Sequence, residues 1–416
     1  MMRDKNCFFT GSVVLVTFAI LAVMAGRAWP QTFKVLHNFG SSGDGWTPFA
    51  GLVADDSGQL YGVTLYGAAG SPCVQSECGT VFKLKPNSDG TWTETLLYQF
   101  TGGSDQAQPV FPVAFDRRGN LYGTTQGYGG GWGTVFQLTP NLTGAWNQQT
   151  LYTFTGGSDG GNPFGITVNG VGRVYGTTYR NRGNYHGLLF TLAGVSALKW
   201  SESVPHQFGS GDDGYDPAGT LVFDADGNIY GTTYEGGLYG AGTVYKLIPS
   251  ASGWNETILY SFQDNPDGAH PYAGVIFDAA GNLYGTTEQG GTGRGGTVFK
   301  LAPNPDGSWT ESVLHSFAVE GSDGYSPDAG LTFDQAGNLY GTTTAGGRDG
   351  GRGTVFKLTP SSGGQWVETI LHAFSGPDGA IPYNLGRLVI DADGNLYGTA
   401  SNGGQYGVGV VFEVTP

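Results

Sequence analysis

The feature that most constrains this chain is a short string that occurs seven times. Asn-Leu-Tyr-Gly-Thr-Thr, or a near copy of it, recurs with a mean spacing of 56 residues. Its glycine is Gly62, Gly123, Gly176, Gly231, Gly285, Gly341 and Gly398. Self-similarity at a fixed period of tens of residues indicates a repeat architecture, in which each unit packs on its neighbours. The chain is therefore expected to fold as seven similar units.

Each unit contains four short runs with the pattern of β-strands. In the fourth unit the runs are 218–223, 228–233, 242–248 and 254–262. Their β-branched and aromatic residues alternate with polar ones, as in half-buried strands. An Asp-x-x-Gly-Asn turn joins the first two runs in most units, which is typical of a tight hairpin. Four antiparallel strands per unit predict an all-β, seven-bladed β-propeller.

The two ends of the repeat array complement each other. The last unit ends at 410–416 with a third strand, and its fourth strand is missing. The segment 32–39 matches the fourth strands of the other units but has no blade of its own. We therefore expect that strand 32–39 completes the last blade and that residues 32–416 form a single domain. Closing the ring in this way hides sheet edges that an open array would expose.

Composition excludes several classes of protein. The 416 residues include 75 Gly and 20 Pro, and only 13% are charged. A helical bundle is excluded because each interior glycine destabilises a helix by about 1 kcal/mol. Aromatic residues make up 13% of the chain, which argues against disorder. Because the chain has 34 acidic residues and only 19 Lys and Arg, nucleic-acid binding is not expected.

The N-terminal segment is predicted to be a secretory signal peptide, residues 1–28. Arg3 and Lys5 precede an apolar run at 13–25, and small residues lead to Ala28, after which cleavage is expected. An uncleaved anchor is less favoured because the run is shorter than the about 20 residues of a membrane span. The mature protein is thus expected to be periplasmic, cell-surface or extracellular, with no membrane contact.

Two cysteines, Cys73 and Cys78, follow the predicted cleavage site and are separated by four residues. In an exported chain an even pair predicts a disulfide that closes one loop. A metal site is less favoured because no further Cys or His lies nearby at ligand spacing. Calcium at the turns that begin at Asp224 and Asp391 is also less favoured, because sister units form the same turn without the second Asp. We expect no metal and no cofactor.

The repeat resembles that of the Gloeobacter/Verrucomicrobia (GloVer) tandem-repeat family. The resemblance is carried by residues 337–343, Gly-Asn-Leu-Tyr-Gly-Thr-Thr, and 353–360, Gly-Thr-Val-Phe-Lys-Leu-Thr-Pro. It extends over residues 32–416. It implies an exported bacterial protein, often with a surface anchor, and it implies no catalytic residues.

In such a propeller, the loops between the second and third strands lie on the same face as the crossings between blades. We call this the crossing face. Its loops are long, so it is the predicted binding face. Aromatic rings among hydrogen-bonding side chains suit sugars, and the alternative is that they pack between adjacent loops. The aromatic residues predicted to contact ligand are Trp46, Tyr128, Trp132, Tyr215, Tyr234, Tyr239, Tyr272 and Tyr325, and the same loops also carry Tyr185, Tyr383 and Tyr406.

Each crossing contains an aspartate four residues before a proline. The aspartates are Asp44, Asp105, Asp159, Asp213, Asp267, Asp323 and Asp378. A ring of carboxylates for a cation or a polyhydroxylated ligand is one interpretation. The favoured one is a cap on each crossing turn, because a sevenfold feature matches a sevenfold fold. Four histidines occupy positions filled by tyrosine in sister strands and are interpreted as aromatic substitutes; they are His37, His206, His315 and His372.

The favoured function is a monomeric binding module for an extracellular polysaccharide or a cell-surface protein. The alternative is a polysaccharide-active enzyme, a lyase or glycoside hydrolase, with a site at the central channel. The titratable residues that break the repeat are the candidates for that chemistry. They are His270, Asp267, His186, Arg180 and Arg182.

Overall fold

The computed structural model describes residues 31–41, 43–67, 73, 78–127, 129–180, 186–196, 199–209, 212–251, 253–347 and 351–416. The predicted signal peptide lies outside these ranges. The described residues form seven antiparallel sheets of four strands each, and no helix. Accordingly, no helix in these ranges is long and apolar enough to span a membrane. The predicted all-β, seven-bladed β-propeller is confirmed.

The strands are numbered in chain order, and each sheet runs from the channel outwards. The innermost strands are β2 (Val53–Ala54), β6 (Ala114–Phe115), β10 (Gly161–Val168), β14 (Gly214–Phe223), β18 (Ile276–Phe277), β22 (Thr332–Phe333) and β26 (Val389–Ile390). The second strands are β3 (Leu60–Thr64), β7 (Leu121–Thr125), β11 (Val174–Arg180), β15 (Ile229–Gly236), β19 (Leu283–Thr287), β23 (Leu339–Thr343) and β27 (Leu396–Ala400). The third strands are β4 (Thr80–Pro86), β8 (Thr134–Pro140), β12 (Leu188–Ser196), β16 (Thr243–Ser250), β20 (Arg294–Pro303), β24 (Thr354–Pro360) and β28 (Val410–Thr415). The outermost strands are β5 (Trp92–Gln99), β9 (Trp146–Thr153), β13 (Lys199–Gln207), β17 (Gly253–Ser261), β21 (Trp309–Ala318), β25 (Trp366–Ala373) and β1 (Thr32–Asn38).

The outermost strand of one blade comes from the opposite end of the chain. Strand β1 pairs antiparallel with β28, from Thr32 opposite Thr415 to Asn38 opposite Val410. That sheet has the order β1-β28-β27-β26. The other six sheets are built from four consecutive strands each.

The glycine of each repeated string is required by a ring from the third strand. A Cβ on Gly341 would lie 2.5 Å from Cζ of Phe356, far inside van der Waals contact. The same clash arises at Gly62, Gly123, Gly176, Gly285 and Gly398 with Phe82, Phe136, Phe190, Phe299 and Phe412, and at Gly231 with Tyr245. These rings are fully buried. The repeated glycine thus allows a large aromatic side chain to lie across the neighbouring strand.

Neighbouring blades are joined by the residues that flank this glycine. The Thr286 hydroxyl donates to the Ala329 carbonyl of the next blade at 2.9 Å. The Tyr284 ring meets Trp366 of the next outer strand edge to face, with centroids 6.4 Å apart. Equivalent contacts recur around the ring, for example Tyr230 with Trp309. The repeated Trp is therefore a packing residue between blades, as expected for a repeat protein.

The predicted disulfide is present. Cys73 and Cys78 are bonded, with Cα atoms 5.6 Å apart. Cys78 is fully buried in a core that also contains Phe100 and Phe136. The bond therefore fastens the second-to-third-strand loop of the first blade onto the apolar contact between two blades.

Candidate functional site

The hairpin aspartates are fully used by protein donors. Asp224 Oδ1 accepts the backbone N–H groups of Asp226 (3.0 Å) and Asn228 (2.9 Å). Its Oδ2 accepts the Asn228 side-chain amide (2.7 Å) and the Tyr230 hydroxyl (3.0 Å). Asp391 has the equivalent four donors. The carboxylate therefore caps the turn, and the turn geometry is explained without calcium.

The crossing aspartates also act as caps. Asp159 accepts the Thr155 N–H at 2.8 Å, the Thr155 hydroxyl at 2.6 Å and the Tyr152 hydroxyl at 3.1 Å. Asp267 likewise accepts the Tyr260 hydroxyl at 2.5 Å and the Gln263 N–H at 3.1 Å. These contacts match the capping interpretation, and they direct the carboxylates towards the outer strands rather than into the channel.

The structure does not bring together the side chains of His270 and Asp267, two of the candidates for acid–base chemistry. His270 Nδ1 lies 3.0 Å from the Tyr234 carbonyl oxygen. The imidazole ring stacks on the Tyr234 ring, with centroids 4.6 Å apart. Asp267 is 3% exposed and is held by Tyr260. The two side chains thus have different partners on different elements. The rings of His186 and Tyr215 are in contact, with centroids 5.1 Å apart. Arg182 and the Arg180 side chain lie outside the described residues.

His270 belongs to a ring of seven residues with unusual backbone geometry. Each residue that precedes a crossing proline has a φ between 50° and 60°. They are Thr47, Gln108, Asn162, Asp216, His270, Ser326 and Ile381. Non-glycine residues rarely adopt this left-handed conformation, which strains the backbone. The crossings therefore hold seven non-glycine side chains around the crossing face at an energetic cost.

The residues that follow the crossing prolines surround the same end of the channel. In six units they are apolar or aromatic, namely Phe49, Val110, Phe164, Ala218, Tyr272 and Tyr383. Together with Phe111, Leu385, Tyr179 and Tyr234 these six form one contiguous cluster, which we call the channel cluster. Its rings are in close contact. The ring centroids of Phe111 and Phe164 lie 4.4 Å apart, and those of Tyr234 and Tyr272 lie 5.7 Å apart. In the remaining unit the equivalent residue is Asp328.

A cavity of about 550 Å³ extends from the channel cluster along the inner strands. Its walls are mostly apolar. Among the described residues that line it, Asp328 is the one acid and Arg387 is the one base. Arg387 lies four residues before the first residue of the hairpin turn. At that position the other units have Gly51, Pro112, Gly165, Thr220, Gly274 or Gly330. Arg387 is exposed to the cavity, yet desolvation by the surrounding strands lowers the pKa of its guanidinium.

Asp328 is buried beside a second acid. Its exposed fraction is 7%, and burial, reinforced by the charge of Glu288, raises the pKa of its carboxyl to about 8. The group is therefore largely uncharged at neutral pH. Its Oδ1 is buried and has no hydrogen-bond partner among the described residues. Glu288 is half-buried and accepts the Tyr234 hydroxyl at 2.7 Å.

Tyrosines complete this arrangement. Burial and the nearby Asp328 raise the pKa values of Tyr272 and Tyr383, so both remain neutral hydrogen-bonding groups. We call Asp328, Glu288, Tyr234, Tyr272 and Tyr383 the acid–tyrosine site. Two of the aromatic residues predicted to contact ligand, Tyr234 and Tyr272, belong to it. It lies at one point of an otherwise sevenfold ring.

The other predicted ligand residues lie elsewhere. Trp132 packs over Gly156 and Gly161, and Tyr325 packs between Gly295 and Gly346, as the packing alternative proposed. The rings of Trp46 and Tyr66 meet with centroids 5.4 Å apart. The side chain of Tyr239 is 55% exposed. Tyr215 pairs with His186, and Tyr128 lies outside the described residues.

Sequence reasoning missed Asp328, Glu288 and Arg387. All three had a visible signal in the comparison of the units with one another. Asp328 stands where the sister units have an apolar or aromatic residue, and Arg387 stands where they have a small one or a proline. Glu288 directly follows the repeated Gly-Thr-Thr, and it is the one acid at a position that holds Leu65, Gln126, Tyr179, Tyr234, Thr344 and Ser401 in the sister units.

These features define a closed, seven-bladed repeat propeller whose central channel carries one asymmetric group of ionisable residues. The chain belongs to the Gloeobacter/Verrucomicrobia repeat family, whose model matches residues 24–190, 130–349 and 252–416 in three overlapping stretches. No curated protein sequence matches the chain.

Solved structures match the chain at low sequence identity. The extracellular domain of a putative one-component system from B. thetaiotaomicron is 11% identical with a TM-score of 0.55, over 91% of this chain and 39% of that one. A putative 6-phosphogluconolactonase from Bacteroides uniformis is 16% identical with a TM-score of 0.48, over 76% of this chain and 83% of that one. At 11% identity the likeness to the first of these structures concerns the fold alone.

Proposed function

We propose that this protein is an exported binding module that holds a carbohydrate at the acid–tyrosine site. The observation that carries the proposal is the convergence of Tyr234, Tyr272 and Tyr383 with the carboxyl groups of Asp328 and Glu288. Three neutral tyrosines provide apolar ring faces together with hydroxyl donors. A cleft with a few convergent polar groups is the usual form of a small-ligand site.

The chemistry of the five side chains suits a polyhydroxylated ligand. The uncharged Asp328 carboxyl both donates and accepts hydrogen bonds, and Glu288 accepts one from the Tyr234 hydroxyl. Sugar hydroxyls offer both functions, and sugar C–H faces pack on tyrosine rings. Asp328 has a buried oxygen without a hydrogen-bond partner in the described part of the chain. A ligand hydroxyl would satisfy that oxygen and offset the free energy of burying it.

Export is part of the proposal. It is supported by the sequence pattern of residues 1–28 and by the disulfide between Cys73 and Cys78, a bond that persists in oxidising compartments. The proposed ligand is accordingly an extracellular polysaccharide or a cell-surface glycan.

The test is a glycan array probed with residues 29–416, followed by isothermal titration with each glycan that binds. Tyr272→Ala is expected to weaken binding at least about tenfold, because it removes a stacking face at the centre of the site. Tyr406→Ala is the matched control, since Tyr406 is 50% exposed and lies outside the channel cluster. Equal affinity of the two variants, or no binding to any glycan, would overturn the proposal.

A second candidate function is polysaccharide cleavage, and one observation favours it. Two neighbouring carboxyl groups, one of them with a raised pKa as in Asp328, are the usual arrangement of a general acid with a base or nucleophile. Asp328 would be the proton donor and Glu288 the carboxylate. Reducing-sugar and unsaturated-product assays on every bound polysaccharide test this function. Asp328→Asn should abolish turnover while binding is retained, and an absence of turnover in the unmodified protein excludes it.

A further inference from the structure

The contacts between blades contain a second, repeated set of ionisable groups. The side chain two residues after each outer-strand Trp faces the crossing aspartate of the preceding blade. Glu202 thus lies beside Asp159, and Glu311 lies beside Asp267. The interface at the crossing aspartate Asp378 differs. There the Phe33 ring stacks on the His372 ring, with ring centroids 3.6 Å apart. Every such interface therefore offers one aspartate, one Tyr or His, and one variable residue.

At three interfaces the three residues are His, Asp and Glu. In one of them, His37, Asp44 and Glu94, the imidazole pairs with the aspartate, with His37 Nε2 3.0 Å from Asp44 Oδ2. The other two groups are more compact. His206 Nε2 lies 3.3 Å from Glu256 Oε2 and 3.9 Å from Asp213 Oδ2. His315 Nε2 lies 3.3 Å from Asp323 Oδ2, and 3.9 Å from a Glu368 carboxylate oxygen. In the described part of the chain these are the two groups whose donor atoms all lie within 4.8 Å of one another.

The donor geometry is close to that of a tetrahedral metal site. Zn²⁺ bonds of about 2.0–2.2 Å place neighbouring donor atoms of a tetrahedron about 3.4 Å apart. In each group the imidazole nitrogen lies 3.3 Å from one carboxylate oxygen and 3.9 Å from the other. Calcium is a poorer match because it takes six to eight oxygen ligands and no imidazole.

The first group also has buried polar atoms that form no hydrogen bond within the described residues. His206 Nε2, Asp213 Oδ1 and Glu256 Oε1 are buried and form no hydrogen bond with the described residues. The Asp213 side chain is only 6% exposed. Two carboxyl groups and an imidazole enclosed in this way are unfavourable without a compensating charge. A divalent cation between them would bind the imidazole and one oxygen of each carboxylate, and would neutralise the carboxylates.

We propose that His206, Asp213 and Glu256 bind one Zn²⁺, and that His315, Asp323 and Glu368 bind a second, each with water as the fourth ligand. Each ion would link the outer strands of two adjacent blades, β13 to β17 and β21 to β25. A metal that binds only the folded protein stabilises it. This inference is independent of the acid–tyrosine site.

The first test counts zinc ions bound per chain. Residues 29–416 are stripped with EDTA, desalted, titrated with ZnSO₄ by calorimetry and analysed for bound metal by mass spectrometry. Two tight equivalents are expected. His206→Tyr and His315→Tyr should each remove one equivalent, and the double variant should remove both. The fold accommodates tyrosine there, since Tyr98, Tyr152 and Tyr260 occupy the same position in sister blades.

His372→Tyr is the matched control, because its interface has Phe33 in place of the glutamate. It should retain both equivalents. Unchanged zinc binding in His206→Tyr, or a lost equivalent in His372→Tyr, would overturn the proposal.

Thermal denaturation provides a separate readout. Zinc should raise the Tm of the unmodified protein and leave the Tm of the double variant unchanged, with circular dichroism confirming that both are folded. An equal rise in both proteins would place the zinc elsewhere and refute the assignment.

Discussion

The blade framework and the channel lining of this propeller differ in how closely they follow the sevenfold repeat. In the framework, contacts such as Gly341 with Phe356 and Tyr284 with Trp366 recur in blade after blade. In the channel, Asp328 and Arg387 each occur once. Repeated residues satisfy a packing requirement that every blade shares. A buried ionisable group that occurs once, such as Asp328, destabilises the fold, and this is why we propose a ligand at that point.

The largest expected effect concerns Asp328 and depends on pH. The pKa of its carboxyl rises from an ordinary value of 3.8 to about 8 in the folded protein, which therefore binds an extra proton between these pH values. The free energy of unfolding consequently falls as pH increases from about 4 to 8. Asp328→Asn should remove this loss and stabilise the protein at pH 9 by up to several kcal/mol, at about 1.4 kcal/mol per unit of pKa shift.

Urea denaturation at pH 5 and pH 9 measures this effect. Asp226→Asn is the control, because Asp226 is exposed in a hairpin turn and should leave the pH dependence unchanged. The comparison between channel and framework fails at this residue if Asp328→Asn has the same pH dependence as the unmodified protein.

A framework substitution should have the opposite effect on stability. Gly341→Val inserts atoms into the space occupied by the Phe356 ring, and the free energy of unfolding should fall by about 3 kcal/mol. Gly363→Ala, in an open turn with its nearest atom at 3.9 Å, should change it by less than about 0.5 kcal/mol. Chemical denaturation of both variants checks this, and similar values for the two would contradict the role assigned to the ring.

The disulfide is a framework element that occurs once. Replacing Cys73 and Cys78 together by alanine should lower the free energy of unfolding by about 2 kcal/mol, because the bond closes a short loop. Denaturation with and without reductant measures the difference. The double variant should be insensitive to reductant, and an unmodified protein that is equally insensitive would rule out a stabilising role.

The smallest effect is expected for a hydrogen bond between blades. Thr286→Val removes the hydroxyl that donates to the Ala329 carbonyl oxygen. The free energy of unfolding should fall by about 1 kcal/mol. The first unit already carries Val63 at this position, so the fold tolerates the change. Thr369→Val, at an exposed site on an outer strand, is the control and should be neutral within about 0.5 kcal/mol. Equal effects would mean that this bond does not stabilise the interface.

Much of the fold could be predicted because its signals are local and occur seven times. The hairpin Asp, the glycine before Thr-Thr and the Trp of the outer strand lie within a few residues of the elements that they define. The candidate site was predicted only in part. Tyr234 and Tyr272 were recognised as loop aromatics, but their partners Asp328 and Tyr383 are more than 50 residues further along the chain. Only closure of the ring brings such residues together.

His270 and Asp267 illustrate the limit of sequence spacing. They are three residues apart, yet the positive φ of His270 and the following proline turn its ring towards Tyr234, while Asp267 faces Tyr260. The sequence by itself determined the blade count, the strands, the turns and the disulfide, since each depends on neighbouring residues or on the repeat. The tertiary structure decided which side chains meet at the channel and between blades, because those contacts depend on how the blades pack around one axis.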